Sequence, residues 1–186
     1  MEKTDTQTES SCIKVVLFGP ESSGKTTLAK ALAAHYNAAW VPEYMRIYLQ
    51  AKWDEKNEIC TKEDLIPIAR GQMQLENKIS AKENDYVFCD TNLDELIVYS
   101  KYYYDGFCPE LIINAAAPAS YNLYLLTYID TPWENDDLRD RPNDRLVLFS
   151  IFEKYLKDNN LPYVILKGTR EERFQIAVKA IEHICK

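Results

Sequence analysis

Residues 19–26, Gly-Pro-Glu-Ser-Ser-Gly-Lys-Thr, satisfy the pattern G-x-x-x-x-G-K-[ST] at every fixed position. The pattern has a chemical use. Gly19 and Gly24 let the backbone curl so that N–H groups point inward at phosphate oxygens. The helix expected over Thr27 to Ala34 would add the partial positive charge of its N-terminus. In such a loop Lys25 reaches the β/γ-phosphates and the Thr26 hydroxyl ligates Mg²⁺. The segment Gly19, Pro20, Glu21, Ser22, Ser23, Gly24, Lys25, Thr26 and Thr27 is therefore the expected grip on a nucleoside triphosphate.

Further chemistry is expected where apolar runs end. Val41-Pro42-Glu43-Tyr44-Met45-Arg46 places an acid and an arginine after one such run. Glu43 can orient an attacking hydroxyl or take its proton, and Tyr44 and Arg46 can hold the substrate. Val87-Phe88-Cys89 ends in Asp90-Thr91-Asn92. Asp90 either holds Mg²⁺, directly or through water, or is itself the catalytic base; Asn92 joins the substrate-binding candidates. The stretch from Asp130 to Arg145 follows Trp133 with Arg139, Arg141 and Arg145. Its charge is too high for a core element, and arginines so spaced suit a lid closing over phosphates. Tyr99, Tyr102, Tyr103 and Tyr104, with Trp53 and Trp133, include candidates for an aromatic wall.

These residues need a scaffold, and the letters predict one. Apolar runs at 13–18, 39–41, 86–89, 123–129 and 163–166 read as buried parallel strands. Between them lie helical stretches, with capping-box patterns at Thr61-x-x-Asp64, Thr91-x-x-Asp94 and Thr169-x-x-Glu172. Phe174, Ala177, Val178, Ile181, Ile184 and Cys185 share one face of a last helix, and Phe149, Phe152 and Leu156 share one of the helix before strand five. The expected fold is α/β: a three-layer P-loop NTPase fold with a five-stranded parallel sheet and helices on both faces. Residues 1–12 are expected to be a disordered polar tail and 13–186 one kinase domain, with the lid at about 130–145.

Composition narrows the class. The chain has 186 residues, 22 Lys and Arg against 29 Asp and Glu, and a formal charge of −7. A dedicated nucleic-acid binder would be basic. Five cysteines without zinc-like spacing read as reduced, buried thiols. No apolar stretch approaches membrane-spanning length, and Met1 to Ser10 lacks a signal core, so a cytoplasmic location is expected. No Asn-Lys-x-Asp appears and no Asp-x-x-Gly follows the third strand, which argues against a guanine-nucleotide switch. A small-molecule kinase using ATP and Mg²⁺ is the favoured class. An ATP-binding or ATPase regulatory protein, or a kinase for another nucleoside, is the alternative.

Several motifs together resemble the ribosylnicotinamide kinase domain of NadR-type proteins, a P-loop, AAA-like family. They are residues 19–29, Trp-Val-Pro-Glu-Tyr-Met-Arg at 40–46, Ile-Ala-Arg-Gly-Gln at 68–72, Cys-Asp-Thr-Asn at 89–92, Tyr-Ser-Lys-Tyr-Tyr-Tyr at 99–104 and the segment 133–142. The resemblance implies transfer of the γ-phosphoryl group of ATP to the 5′-hydroxyl of nicotinamide riboside. It places Lys25 and Thr26 on ATP–Mg²⁺, Glu43 or Asp90 near the acceptor, and lid arginines among 139, 141 and 145. NadR-type proteins carry an adenylyltransferase domain with a His-x-Gly-His motif, whereas His35 and His183 lie far apart here. The expectation is a stand-alone kinase without adenylyl transfer, a separate adenylyltransferase acting downstream, and no nucleic-acid or membrane partner. Homo-oligomerisation stays open.

Overall fold

Val15, Val16, Leu17 and Phe18 are fully buried, because the strand they form lies in the middle of a sheet with both faces covered. The computed structural model describes residues 6–82, 85–139 and 141–185. The elements run β1 (Ile13–Phe18), α1 (Lys25–His35), β2 (Ala39–Val41), α2 (Tyr44–Lys56), a 3₁₀ turn (Lys62–Asp64), α3 (Leu65–Ser80), β3 (Tyr86–Asp90), α4 (Leu93–Tyr103), α5 (Glu110–Ala116), β4 (Leu123–Thr127), α6 (Arg145–Asp158), β5 (Tyr163–Leu166) and α7 (Arg170–Ile184). The five strands pair in the order β2-β3-β1-β4-β5, every pair parallel.

Alternation along β1 builds the layers. Val15 and Leu17 face a cluster with Leu28, Leu32, Ala177 and Ile181, so α1 and α7 cover that side. Val16 and Phe18 face Val98, Tyr99, Phe149 and Phe152, so α4 and α6 cover the other. A satellite cluster of Leu49, Leu65, Ile68, Met73, Leu96 and Ile112 joins α2, α3, α4 and α5 beyond the sheet. The three-layer α/β expectation holds. Strand β4 stops at Thr127, two residues early, and β3 extends to Asp90.

The strand order reverses at β1, whose neighbours are β3 and β4. The carboxyl end of β1 is thus a switch point, where open parallel sheets leave a crevice. The capping boxes at Thr61 and Thr169 form. The third does not: Asn92, not Thr91, caps α4, its side chain accepting from the Glu95 N–H, while Thr91 has φ of 93°.

The tail needs correction. Gln7 donates to Glu76 at 2.8 Å and accepts from the Ser120 N–H, and Asn77 bridges Thr6 and Thr8. Residues 6–12 are strapped to the domain, with Cys12 buried; residues 1–5 lie outside the described part. The same Glu76 pairs with buried Lys14 at 3.2 Å and accepts from Tyr121, so a charged residue in β1 is neutralised rather than exposed. All five cysteines are free, but only Cys12 and Cys89 are buried, and Cys185 is exposed. Among the described residues no helix is long and apolar enough to cross a membrane.

Candidate active site

The loop after β1 takes the shape its glycines allow. Gly19 has φ of 133°, and a Cβ there would lie 2.8 Å from Thr127 Oγ1 and 2.9 Å from the Thr127 carbonyl oxygen. Only glycine fits against β4 this closely. Gly24, with φ of 87°, is the N-cap of α1. Ser23 Oγ donates to the Pro20 carbonyl at 2.6 Å and meets Thr127 Oγ1 at 2.6 Å.

Lys25 turns back into this loop. Its ammonium donates to the carbonyls of Gly19 at 2.6 Å and Pro20 at 3.1 Å, and pairs with Glu95 at 3.1 Å. Burial weakens its proton affinity, but Glu95, Glu43 and Asp90 more than restore it, so its pKa is raised. The carboxyls respond in kind. Glu95 is pushed up to about 8, chiefly by burial, against the pull of Lys25. Burial also raises Glu43, opposed by Lys25 and assisted by Asp90. Asp90 is raised by burial while the Thr26 hydroxyl and Lys25 draw it back, and its Oδ1 has no hydrogen-bond partner. Three acids thus converge on one lysine.

A cavity of about 640 Å³ opens beside this cluster. Glu21 to Leu28 line it, together with Met45, Leu49, Leu65, Leu96, Tyr99, Tyr103 and Tyr104. Glu43, Arg46, Arg139 and Arg141 also reach the wall. The size falls within the usual range of small-molecule sites.

The lid segment is tied to α2 and to the phosphate loop. Asp136 pairs with Arg46 of α2 and, at 3.1 Å, with Arg139. Its carboxyl is lowered despite burial by the Leu138 N–H and Arg46. The Glu134 N–H donates to Ser22 Oγ at 2.9 Å, and the Arg141 N–H to Glu21 at 3.2 Å. The Arg141 guanidinium lies 5.3 Å above the Tyr103 ring, and the Tyr102 hydroxyl donates to Asp144 at 2.7 Å. Asp140 lies outside the described residues.

Several sequence candidates are placed elsewhere. Tyr44 is off the cavity wall, because its ring fills the space left by Gly71, where a Cβ would come within 2.0 Å of it. Asn92 is occupied with capping α4 and donates to Asp94 and the Tyr124 hydroxyl. Trp133 lies under Arg145, 5.9 Å from ring centre to guanidinium. Arg145 turns to the loop backbone instead of the cavity, donating to the carbonyls of Thr131 at 2.9 Å and Ser22 at 3.0 Å. Asp90 sits behind Lys25 and Thr26. Sequence reasoning missed Glu95, Arg170 and Arg173; the last two line the cavity.

A family model described as an AAA domain matches residues 14–173. The chain is 28% identical over 173 residues to the trifunctional NAD biosynthesis/regulator protein NadR of Salmonella typhimurium, which covers 91% of this chain and 42% of that protein. It therefore spans about two fifths of that relative's length. Among solved structures, NadR protein in complex with NR superposes with a TM-score of 0.79 at 24% identity, covering 94% of this chain and 52% of that one. Deoxyadenosine kinase from M. mycoides gives a TM-score of 0.70 at 13% identity, covering 92% and 100%. These two likenesses show a shared fold. With the match running from β1 through the phosphate loop to Arg173, the chain belongs to the AAA domain family of phosphate-loop proteins.

Proposed function

We propose that this chain transfers the γ-phosphoryl group of ATP to a nucleoside hydroxyl, with the 5′-hydroxyl of nicotinamide riboside as acceptor. The observation that carries the reading is the cavity itself. Its wall combines phosphate-loop residues with tyrosines and leucines, and with Glu43 and five arginines, Arg46, Arg139, Arg141, Arg170 and Arg173. Support for the acceptor comes from the similarity to a NAD biosynthesis protein and from the superposition on NadR in complex with NR.

Phosphoryl transfer asks for positioning and charge neutralisation. Loop amides and Lys25 bind the β- and γ-phosphates, with Lys25 exchanging its Glu95 contact for phosphate oxygen. The acceptor oxygen attacks the γ-phosphorus, the bond to the β,γ-bridging oxygen breaks, and ADP leaves. Glu43, on the wall and with a raised pKa, takes the hydroxyl proton. Arg46, Arg139 and Arg141 steady the transferring group and exclude water.

The fold family implies Mg²⁺. Among the described residues no group of three or more His, Cys, Asp or Glu is placed to hold a metal. Mg²⁺ in such sites takes one or two protein oxygens and completes its shell with phosphate and water. Thr26 and the unpartnered Asp90 Oδ1 fit the ion and would hold it, and when bound it supplies neutralisation of phosphate charge.

Purified protein, radiolabelled γ-phosphate ATP and a panel of nucleosides test the proposal. Labelled nicotinamide mononucleotide is the expected product. Label transferred to another nucleoside alone would replace the acceptor. ATP binding with no nucleoside phosphorylated would favour a regulatory role.

A further inference from the structure

A phosphate loop aims its N–H groups at the anion, so the carbonyls that Lys25 does not bind must find partners elsewhere. Here those partners are side chains. The Phe18 carbonyl accepts from Thr127 Oγ1 at 3.2 Å, and Ser22 from Thr131 Oγ1 at 2.8 Å as well as Arg145. The Ser23 carbonyl accepts from Arg173 Nη1 at 2.7 Å. Because the peptide unit is planar and trans, the Ser23 carbonyl and the Gly24 N–H point in opposite directions. Pulling one outward turns the other inward.

Arg173 is built to do this. It is 4% exposed. Its Nε donates to the Gly168 carbonyl at 3.0 Å and its Nη2 to the Tyr128 carbonyl at 2.9 Å. Asp130 pairs with its guanidinium and also accepts from the Gly168 N–H. One planar fork thus ties the phosphate loop to the exit of β4 and to the turn between β5 and α7.

We propose that Arg173 is a positioning residue for the triphosphate: by holding the Ser23 carbonyl outward it fixes the Gly24 N–H toward the phosphates. The proposal rests on reading residues 19–26 as a triphosphate site, not on the identity of the acceptor. A lysine keeps the charge but cannot span three carbonyls set in a fork.

Titration with the β,γ-imido analogue of ATP and, separately, with nicotinamide riboside tests it, alongside thermal unfolding. Wild type that binds no triphosphate analogue would remove the parent reading. With wild-type binding in place, Arg173→Lys should weaken the analogue by about tenfold, the worth of one charge-assisted hydrogen bond. Riboside affinity should be unchanged. Analogue affinity equal to wild type overturns the proposal, as does an equal loss for both ligands, which marks a general staple. If Arg173→Lys fails to fold, Arg173→Ala supplemented with methylguanidinium takes its place. Analogue affinity regained with the fold supports the proposal; the fold regained without it overturns it.

Discussion

Lys25 and Glu95 are joined across 3.1 Å, both almost out of solvent, and the Glu95 oxygens have no further hydrogen-bond partner. The two come from separate elements, α1 and α4, and meet where Glu43 and Asp90 also bear on the lysine. Burial, aided by Glu43 and Asp90, makes this acid give up its proton late despite the lysine. Its pKa of about 8 stands well above the ordinary 4.5.

Glu95 therefore makes stability depend on pH. With the folded pKa raised, the favourable contribution is full below about 4.5 and is lost as pH rises through about 8. Glu95→Gln keeps the shape and removes the titration. Its melting temperature should gain on wild type between pH 5 and pH 8.5, and one kcal/mol of relief moves it by about 2–4 °C in a chain of this size. A Tm difference that is flat over that range would contradict the assignment.

Lys25→Ala should lower kcat by about 10²–10³-fold or more, as loss of a principal phosphate-neutralising group does. The riboside should still bind, because the tyrosine and leucine side chains of the wall are untouched. Steady-state kinetics with separate riboside titration checks both.

Glu43 and Asp90 should part company on substitution. Glu43→Gln is expected to cut the rate by about 10²–10⁴-fold, the worth of a general base, with ATP analogue affinity intact. Asp90→Asn is expected to raise the Mg²⁺ concentration needed for half-maximal rate. Asp90→Asn with wild-type Mg²⁺ dependence would move the metal role off that residue.

Gly71→Ala should act through Tyr44. The new Cβ would fall 2.0–2.3 Å from three ring carbons, so the ring must leave the α2–α3 contact. Overpacking of this kind costs about 1–3 kcal/mol, readable by denaturant melting. Riboside affinity should weaken through the shifted start of α2, while triphosphate affinity stays.

What could be read from the letters follows from distance along the chain. The phosphate loop is a local device, so strand, glycines and helix announce it within twenty-two residues, 13–34. The strands announce themselves by apolar runs, and β4 merely ends sooner than its run. Glu95 and Arg173 are different: their partners lie 70 and 150 positions away, at Lys25 and Ser23. In sequence they look like an acid in a first helical turn and one arginine in the charged start of α7. Tyr44 and Asn92 show the reverse case. Both sit at strand exits, where chemistry gathers, but Gly71 gives the tyrosine a place to pack and the α4 N-terminus recruits the amide.

Helix α4 carries Glu95 toward the loop lysine, Tyr99 and Tyr103 to the cavity wall, and Tyr102 and Tyr103 to the lid. One rigid rod therefore answers to three demands. In a laboratory evolution experiment selecting for a new acceptor, substitutions on α4 would disturb donor grip and lid seating together, and selection should discard them. The adaptable ground is α2 and the start of α3, where Met45, Leu49 and Leu65 reach the cavity wall. Acceptor range in relatives of this architecture should drift there first.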